Sequence, residues 1–414
     1  MSVTNTPGSP GANAQSAAAM VMAQRAANSQ YMQATVPKFV NTIPAGGGTT
    51  APFVSGSNLI FTVPPVNNGY LEALEFTFNL TVTMGAGGSA INAAAPYNMI
   101  REIDIQYNGV QGRVVPYFAN LWQRMRGWQR STNYNVVGSS FYADAQISAA
   151  LRSATFPVAA GANSWIWTLR IPLNAIHDLD AAGLLPIMGE ANPVQVIVTC
   201  NNAIVGVDPL VNVINTGAAT VTGTVKCDAK YRDGTTLWSP AKSGINLAGL
   251  DTTQWLIDAP IQNLIAGQIS RGPVKTMLEH YYLVACVIDG QQSNAFATSN
   301  NFTAIELDTD GTGNGRLFAF GTGTNVAMST WFEHVRNTFG QDMDPGIIPW
   351  VVAPSYNQGN PSNRMGTSAL NMKADGWTTI YQGYNLVATG GVAGIAPRIE
   401  TWLISSNPLG LLLT

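Results

Sequence analysis

The residues best suited to chemistry are few and scattered. The three histidines, His177, His280 and His334, lie far apart, and none stands in an HxxxH spacing that would aim two imidazoles at one metal. Each is read as a packed or surface residue. The carboxylates come closer to forming a site. Asp308-Thr309-Asp310-Gly311-Thr312-Gly313 starts like a calcium loop, which collects oxygen ligands at alternate positions. Such a loop closes with Glu at its twelfth position, and that position here is Ala319. The segment therefore reads as a turn between strands, with Asp308 and Asp310 kept as the metal candidate. The pairs Asp178/Asp180 and Asp342/Asp344 stand two apart, a spacing common by chance, and Asp344-Pro345-Gly346 reads as a turn.

Phosphate, acyl and nucleic-acid chemistry find no better support. Gly311, Gly313 and Gly315 alternate without completing GxGxxG, and no GK[ST] follows. A GxSxG nucleophile elbow is absent. Asn79-Leu80-Thr81 and Asn301-Phe302-Thr303 match glycosylation sequons, with nothing to indicate secretion. Arg124, Arg126 and Arg130 beside Trp122 and Trp128 have the ingredients of a platform for stacked bases. The competing reading is a helix lying on a barrel with a basic edge toward solvent or an interface. The matching stretch of the second half favours that reading, because it carries Glu333, His334 and Arg336 in place of the arginine set. No catalytic residue, cofactor or enzymatic activity is expected.

Composition points the same way. The chain has 414 residues, room for two domains with separate cores. Only 10% of its residues are charged, against about 25% in ordinary soluble proteins. A surface so poor in charge has little repulsion to keep copies apart, which suits a subunit covered by its neighbours. Net charge is −3 and no Lys/Arg run occurs, so sequence-specific nucleic-acid binding is not expected. Cys200, Cys227 and Cys286 are odd in number and lack a CxxC spacing; buried, reduced thiols on strands are expected. The polar N-terminus has no basic region of a secretion signal. The apolar runs Ala17–Ala23 and Tyr281–Ile288 are far below the ~18–20 residues that span a bilayer.

Period-two alternation dominates from about residue 52 onward. Phe76, Phe78, Leu80 and Val82 alternate with Thr77, Asn79 and Thr81; Ile103/Ile105, Trp165/Trp167/Leu169/Ile171, Val194/Val196/Val198 and Thr222–Ala229 predict further half-buried strands. Asn68-Gly69 and Asn108-Gly109 supply turns. Two stretches break the rhythm. Pro116 opens a helical spacing of Phe118, Leu121, Trp122, Met125 and Trp128, and Met328, Trp331, Phe332, Val335 and Phe339 repeat it. Residues 1–10 read as an arm, and 11–34 as an Ala/Gln/Met helix stopped by Pro37. Residues 233–253 are the best linker, and 290–302, 311–325 and 355–368 read as surface loops.

The two halves carry this pattern twice. Ala73–Val82 matches Met277–Cys286, Leu59–Pro64 matches Trp255–Pro260, and Ile103–Gly109 matches Ile305–Gly311. Arg113-Val114-Val115 and Arg316-Leu317-Phe318 follow, and then the Trp-bearing helices. The expected fold is all-β, two tandem domains of the sandwich or jelly-roll kind with an N-terminal helix and short helices inserted between strands. Expected boundaries are 1–50 for the arm and helix, 51–240 for the first barrel, and 241–414 for the second barrel with its C-terminal arm.

The order of these features resembles the double jelly-roll major capsid proteins of tailless, internal-membrane-containing icosahedral phages, the tectivirus type. The Ala/Gln-rich N-terminal helix and the aromatic helix of the first half contribute to the resemblance. So does Ile171-Pro172-Leu173, followed by the irregular 174–192 and then Val194–Ala203 with its Asn-rich turn. Tyr281–Ile288 with Asp289-Gly290-Gln291 is similar to an early strand and turn of that family's second barrel. The resemblance implies two tandem eight-stranded jelly rolls in each chain, a double jelly roll, and a homotrimer whose six barrels make a pseudo-hexagonal block, tiling the shell of a virion after a period in the host cytoplasm. It implies neighbouring capsomers, penton and minor capsid proteins as partners. The N-terminal helix, with Val21, Met22 and Arg25, would lie at the base against an internal membrane. No catalytic site carries over, because the family has none. Trp122, Trp128 and Trp331 are expected to brace the barrels or the trimer seam. Two other readings stand beside this one: a trimeric phage spike or receptor-binding protein, and a carbohydrate-active β-sandwich with exposed tryptophans.

Overall fold

The computed structural model describes Tyr31 and residues 35–406, apart from 126–157, 174–183, 188–192, 238–254, 289–301, 322–326, 340–345, 351–369, 372–378, 387–396 and a few single or paired positions. The first half comprises β1 (Thr35–Asn41), β2 (Ile43–Pro44), β3 (Thr50–Pro52), β4 (Asn58–Thr62), β5 (Gly69–Met84), β6 (Ile100–Tyr107), β7 (Val110–Val114), helix α1 (Pro116–Met125), β8 (Gly161–Pro172), β9 (Leu185–Pro186), β10 (Gln195–Cys200) and β11 (Ala219–Leu237). One sheet runs β1-β11-β5-β8, with β3 also on β11 and β9 on β5. The other runs β2-β4-β10-β6-β7. This order, with successive strands hopping between two facing sheets, is a jelly roll.

The second half repeats it. Its elements are β12 (Trp255–Asp258), β13 (Ile261–Asn263), β14 (Ser270–Thr276), β15 (Glu279–Ile288), β16 (Phe302–Asp308), β17 (Arg316–Gly321), helix α2 (Met328–Phe339), β18 (Ile347–Trp350), β19 (Leu370–Asn371), β20 (Thr379–Leu386) and β21 (Arg398–Ser406). The sheets are β12-β21-β15-β18, with β13 on β21 and β19 on β15, and β14-β20-β16-β17. Among the described residues every strand of the first barrel except β2 has a counterpart in the second, and α1 and α2 occupy equivalent places, between β7 and β8 and between β17 and β18.

Alternation places the cores. In β5, Phe76, Phe78, Leu80 and Val82 are buried while Asn79 is exposed. Opposite them, Trp165, Trp167, Leu169 and Ile171 of β8 also point inward. Phe78 and Trp167 are register partners with stacked rings, centroids 4.6 Å apart. Full burial of each such side chain contributes about 1.5–3 kcal/mol. Pro116 occupies the first turn of α1, where its missing N–H costs nothing, and Tyr117, Phe118, Ala119 and Leu121 bury the helix against the barrel. The antiparallel β6/β7 ladder runs from Ile103 and Val114 to the paired Tyr107 and Val110.

Several expectations require correction. Leu59–Thr62 belongs to β4 and Trp255–Asp258 to β12, which hold different positions in their barrels. A short apolar run ended by Pro fits many strand ends, so that internal match was accidental. The first barrel starts at Thr35, ahead of residue 51, because β1 pairs with β11 despite Pro37. Pro37 is tolerated on an edge strand. Asp233 and Gly234 lie within β11, so the chain leaves the barrel later than a linker at 233 implies. Arg316–Gly321 is strand β17, not loop. The N-terminal helix expected over 11–34, the boundary at 240, and the loops at 290–301 and 355–368 lie outside the described residues.

Candidate functional site

The buried charges of the first barrel collect where the chain enters it. At Glu72 the β5/β11 register shifts between Lys230 and Tyr231, and Glu72 is left 1% exposed. Its carboxylate accepts Arg232 Nε at 2.6 Å and Lys230 Nζ at 2.7 Å, with Arg170 Nη2 at 3.5 Å. Burial alone would raise the Glu72 pKa, but the charges and hydrogen bonds of Arg232 and Lys230 outweigh it and hold it below the ordinary carboxylate value. Arg232 Nη1 donates to Thr35 O at 2.8 Å, and Tyr31 OH donates to Arg232 O at 3.2 Å. Tyr31 is fully buried and edge-on to Tyr70, with ring centroids 5.5 Å apart. The segment leading into β1 is therefore pinned to β11.

A second cluster sits on the outward face of β16. Glu306 and Asp308 are almost fully buried. Arg271 Nε pairs with Glu306 Oε1, Arg316 Nε with Glu306 Oε2 at 3.2 Å, and Arg271 Nε lies 3.4 Å from Asp308 Oδ2. Asp308 Oδ1 accepts the N–H groups of Asp310 and Gly311, and Asp310 Oδ1 those of Thr312 and Gly313. The two carboxylates of the metal candidate thus fold the β16/β17 turn. Among the described residues there is no group of three or more His, Cys, Asp or Glu side chains placed to hold a metal.

Of the three tryptophans, Trp331 is inside the second barrel, 3% exposed, with its ring 4.8 Å from Trp350 and 5.2 Å from Phe320. It ties α2 to β18 and β17. Trp122 lies on α1; Trp128, and with it Val21, Met22 and Arg25, fall outside the described residues. His334 is exposed on α2, beside Trp331. Cys200 and Cys227 are buried and unpaired, and burial pushes the Cys200 thiol up to about 11.

Residues that sequence reasoning missed line the surface. On the outward face of the β2-β4-β10 sheet, Ile43 is 51% exposed and Ile60 38% exposed, and Ile60 pairs in register with the half-buried Ile197. Phe39 of the edge strand β1 is also exposed. The signal was present as Ile where the alternation calls for a polar residue. Among the described residues no helix is long and apolar enough to cross a membrane.

No family model matches the chain, and no curated protein matches it. Solved structures do. The crystal structure of the STIV MCP aligns over 90% of this chain and 96% of its own, with 11% identity and a TM-score of 0.56. The atomic structure of Sulfolobus turreted icosahedral virus aligns over 90% of both chains, with 10% identity and a TM-score of 0.55. The quasi-atomic model of the PBCV-1 virus capsid aligns over 90% of this chain and 94% of its own, at 10% identity and a TM-score of 0.51. At such identities the likeness is one of fold. The chain has the double jelly-roll fold that these viral capsid structures share.

Proposed function

We propose that this chain is a major capsid protein, the repeating structural subunit of an icosahedral virion. The observation that carries the reading is the pair of jelly rolls with matching strand order, β2 apart, and an equivalent inserted helix, aligned over 90% of the chain with the STIV MCP. Three copies would then supply six similar barrels, a pseudo-hexagonal block that tiles a facet. The exposed isoleucine stripe on β2-β4-β10 is the kind of apolar face that a neighbouring copy covers. Charge scarcity lets such faces meet without long-range repulsion. Neighbouring capsomers, penton and minor capsid proteins would complete the shell, and the N-terminal segment beyond Tyr31 would face an internal membrane. The role is structural, in the virion after assembly in host cytoplasm.

Sedimentation of the purified chain tests this. The expected species is a trimer of the 43.9 kDa subunit, seen as squat hexagonal blocks in negative stain. A monomer at micromolar concentration, or elongated fibres, would sink the proposal.

A further inference from the structure

The two barrels share more than a chain connection. Strand β12 of the second lies alongside β7, the edge strand of the first. On another part of the seam, Arg398 at the start of β21 reaches the loop between β10 and β11 of the first barrel. Its Nη1 is 2.8 Å from Asp208 Oδ2 and its Nη2 3.0 Å from Asp208 Oδ1, the two-pronged geometry that fixes both distance and direction. Arg398 Nε is held by Glu400 Oε1 at 2.9 Å. The pair is sheltered, with side chains 13% and 20% exposed.

What makes the contact more than a surface ion pair is the rigidity behind Asp208. Asn92 Nδ2 donates to the carbonyls of Gly206 and Asn212 at 3.0 and 2.9 Å. Asn98 Nδ2 donates to Asn212 O at 2.6 Å, and Asn201 Nδ2 to Asn98 O and Val211 O at 2.7 and 2.6 Å. Asn212 Nδ2 reaches Ala203 O at 2.9 Å, while its Oδ1 accepts Asp208 N–H at 3.0 Å. Asp208 Oδ1 itself accepts the N–H groups of Leu210 and Val211. Gly206 has φ +156°, and a Cβ there would fall 2.4 Å from Asn212 Oδ1, so the loop closes this tightly only with glycine. Four asparagine amides thus replace the hydrogen bonds that a strand would provide. On the other side, β21 is held between β15 and the paired β12/β13. Arg398 stands opposite Asn263 and Ile288 in that ladder. Two stiff elements meet through one fork.

We infer that the Asp208–Arg398 fork, presented by the asparagine-knotted loop, is the clamp that sets the angle between the two barrels. Without it the β7/β12 seam acts as a hinge. Its use in assembly rests on the capsid reading above: six barrels close into a hexagon only if the angle within each chain is fixed.

The clamp is tested by the distance distribution between spin labels at Thr222→Cys on β11 and Ser329→Cys on α2. Both positions are exposed, and labelled chains would be diluted into unlabelled ones. The natural chain is expected to give a single narrow distribution. Asp208→Asn, Arg398→Gln and Arg398→Lys should each lose it. The lysine variant keeps the charge without the fork. The double variant Asp208→Asn/Arg398→Gln should be no broader than either single one, as for two halves of one contact. Near-UV circular dichroism of the tryptophans reports whether each barrel remains packed. An unchanged distribution in packed variants overturns the inference. Sedimentation separates this from the parent reading. A monomeric natural chain ends the capsid proposal, while the label distances still decide the clamp. Trimer loss in packed Arg398→Gln supports both.

Discussion

Glu72 shows how much one buried carboxylate can carry when it bonds two sheltered cations at once. Replacing it by Gln removes the carboxylate charge that Arg232 and Lys230 share, and removal of one partner of a buried pair costs about 3–5 kcal/mol. The urea midpoint of Glu72→Gln should fall accordingly, with release of the Tyr31–Thr35 segment visible as faster proteolysis ahead of β1. The pH dependence has a definite sign. Because the folded pKa lies below the ordinary value of 4.5, the interaction stabilises fully above that value and is lost as pH falls below it. Acid titration of stability should show a drop in that window that Glu72→Gln lacks. Gly223 gives a second prediction at this scale. It sits in the middle of β11 with φ +142°, and a Cβ there would come 2.2 Å from Asn79 O. Gly223→Ala should lower stability by roughly 2–3 kcal/mol in urea melts.

The elements differ between barrels in how they fill the same topology. The first core is built on stacked aromatic and aliphatic rows from β5 and β8. Across the second core runs a polar chain: Trp350 Nε1 donates to Tyr384 OH at 2.9 Å, Tyr384 OH to Gln382 Oε1 at 3.1 Å, and Gln382 Nε2 to Thr401 Oγ1 at 2.6 Å. It links β18, β20 and β21, and so joins the two sheets. Tyr384→Phe removes the acceptor of the Trp350 indole N–H and the donor to Gln382 Oε1, a cost of about 1–3 kcal/mol read as a lower thermal midpoint. Strands with clean alternation, such as β5, β8 and β10, were legible in the sequence because inward side chains recur every second residue. Helices α1 and α2 were legible from Pro116 and the spacing of Trp331 and Val335. What the sequence hid are features made by contacts across long separations. Glu72 meets Arg232 from 160 residues away, and Arg398 meets Asp208 from 190. Neither pairing leaves a local trace. Edge strands β1 and β3 were obscured by Pro37 and Pro52.

On the scale of the whole molecule, the isoleucine stripe makes its own prediction. Ile43→Asp with Ile60→Asp removes no core contact, so the thermal midpoint should hold within a few degrees while sedimentation shifts toward monomer. If the doubly substituted chain still forms blocks, the stripe is not an interface. The pairing of β1 with β11 reaches further. The first barrel joins its opening strand to its closing one, so during synthesis it cannot shut until the chain has been made through Leu237. Every strand it needs has by then emerged, and none of the second barrel's equivalents has. Vectorial synthesis thereby sorts two sets of interchangeable strand positions by time of arrival. Refolding from denaturant offers both sets at once. Cross-pairing of β5 with β21, or of β15 with β11, is then open to the chain, and recovery from denaturant should be poorer than recovery from translation.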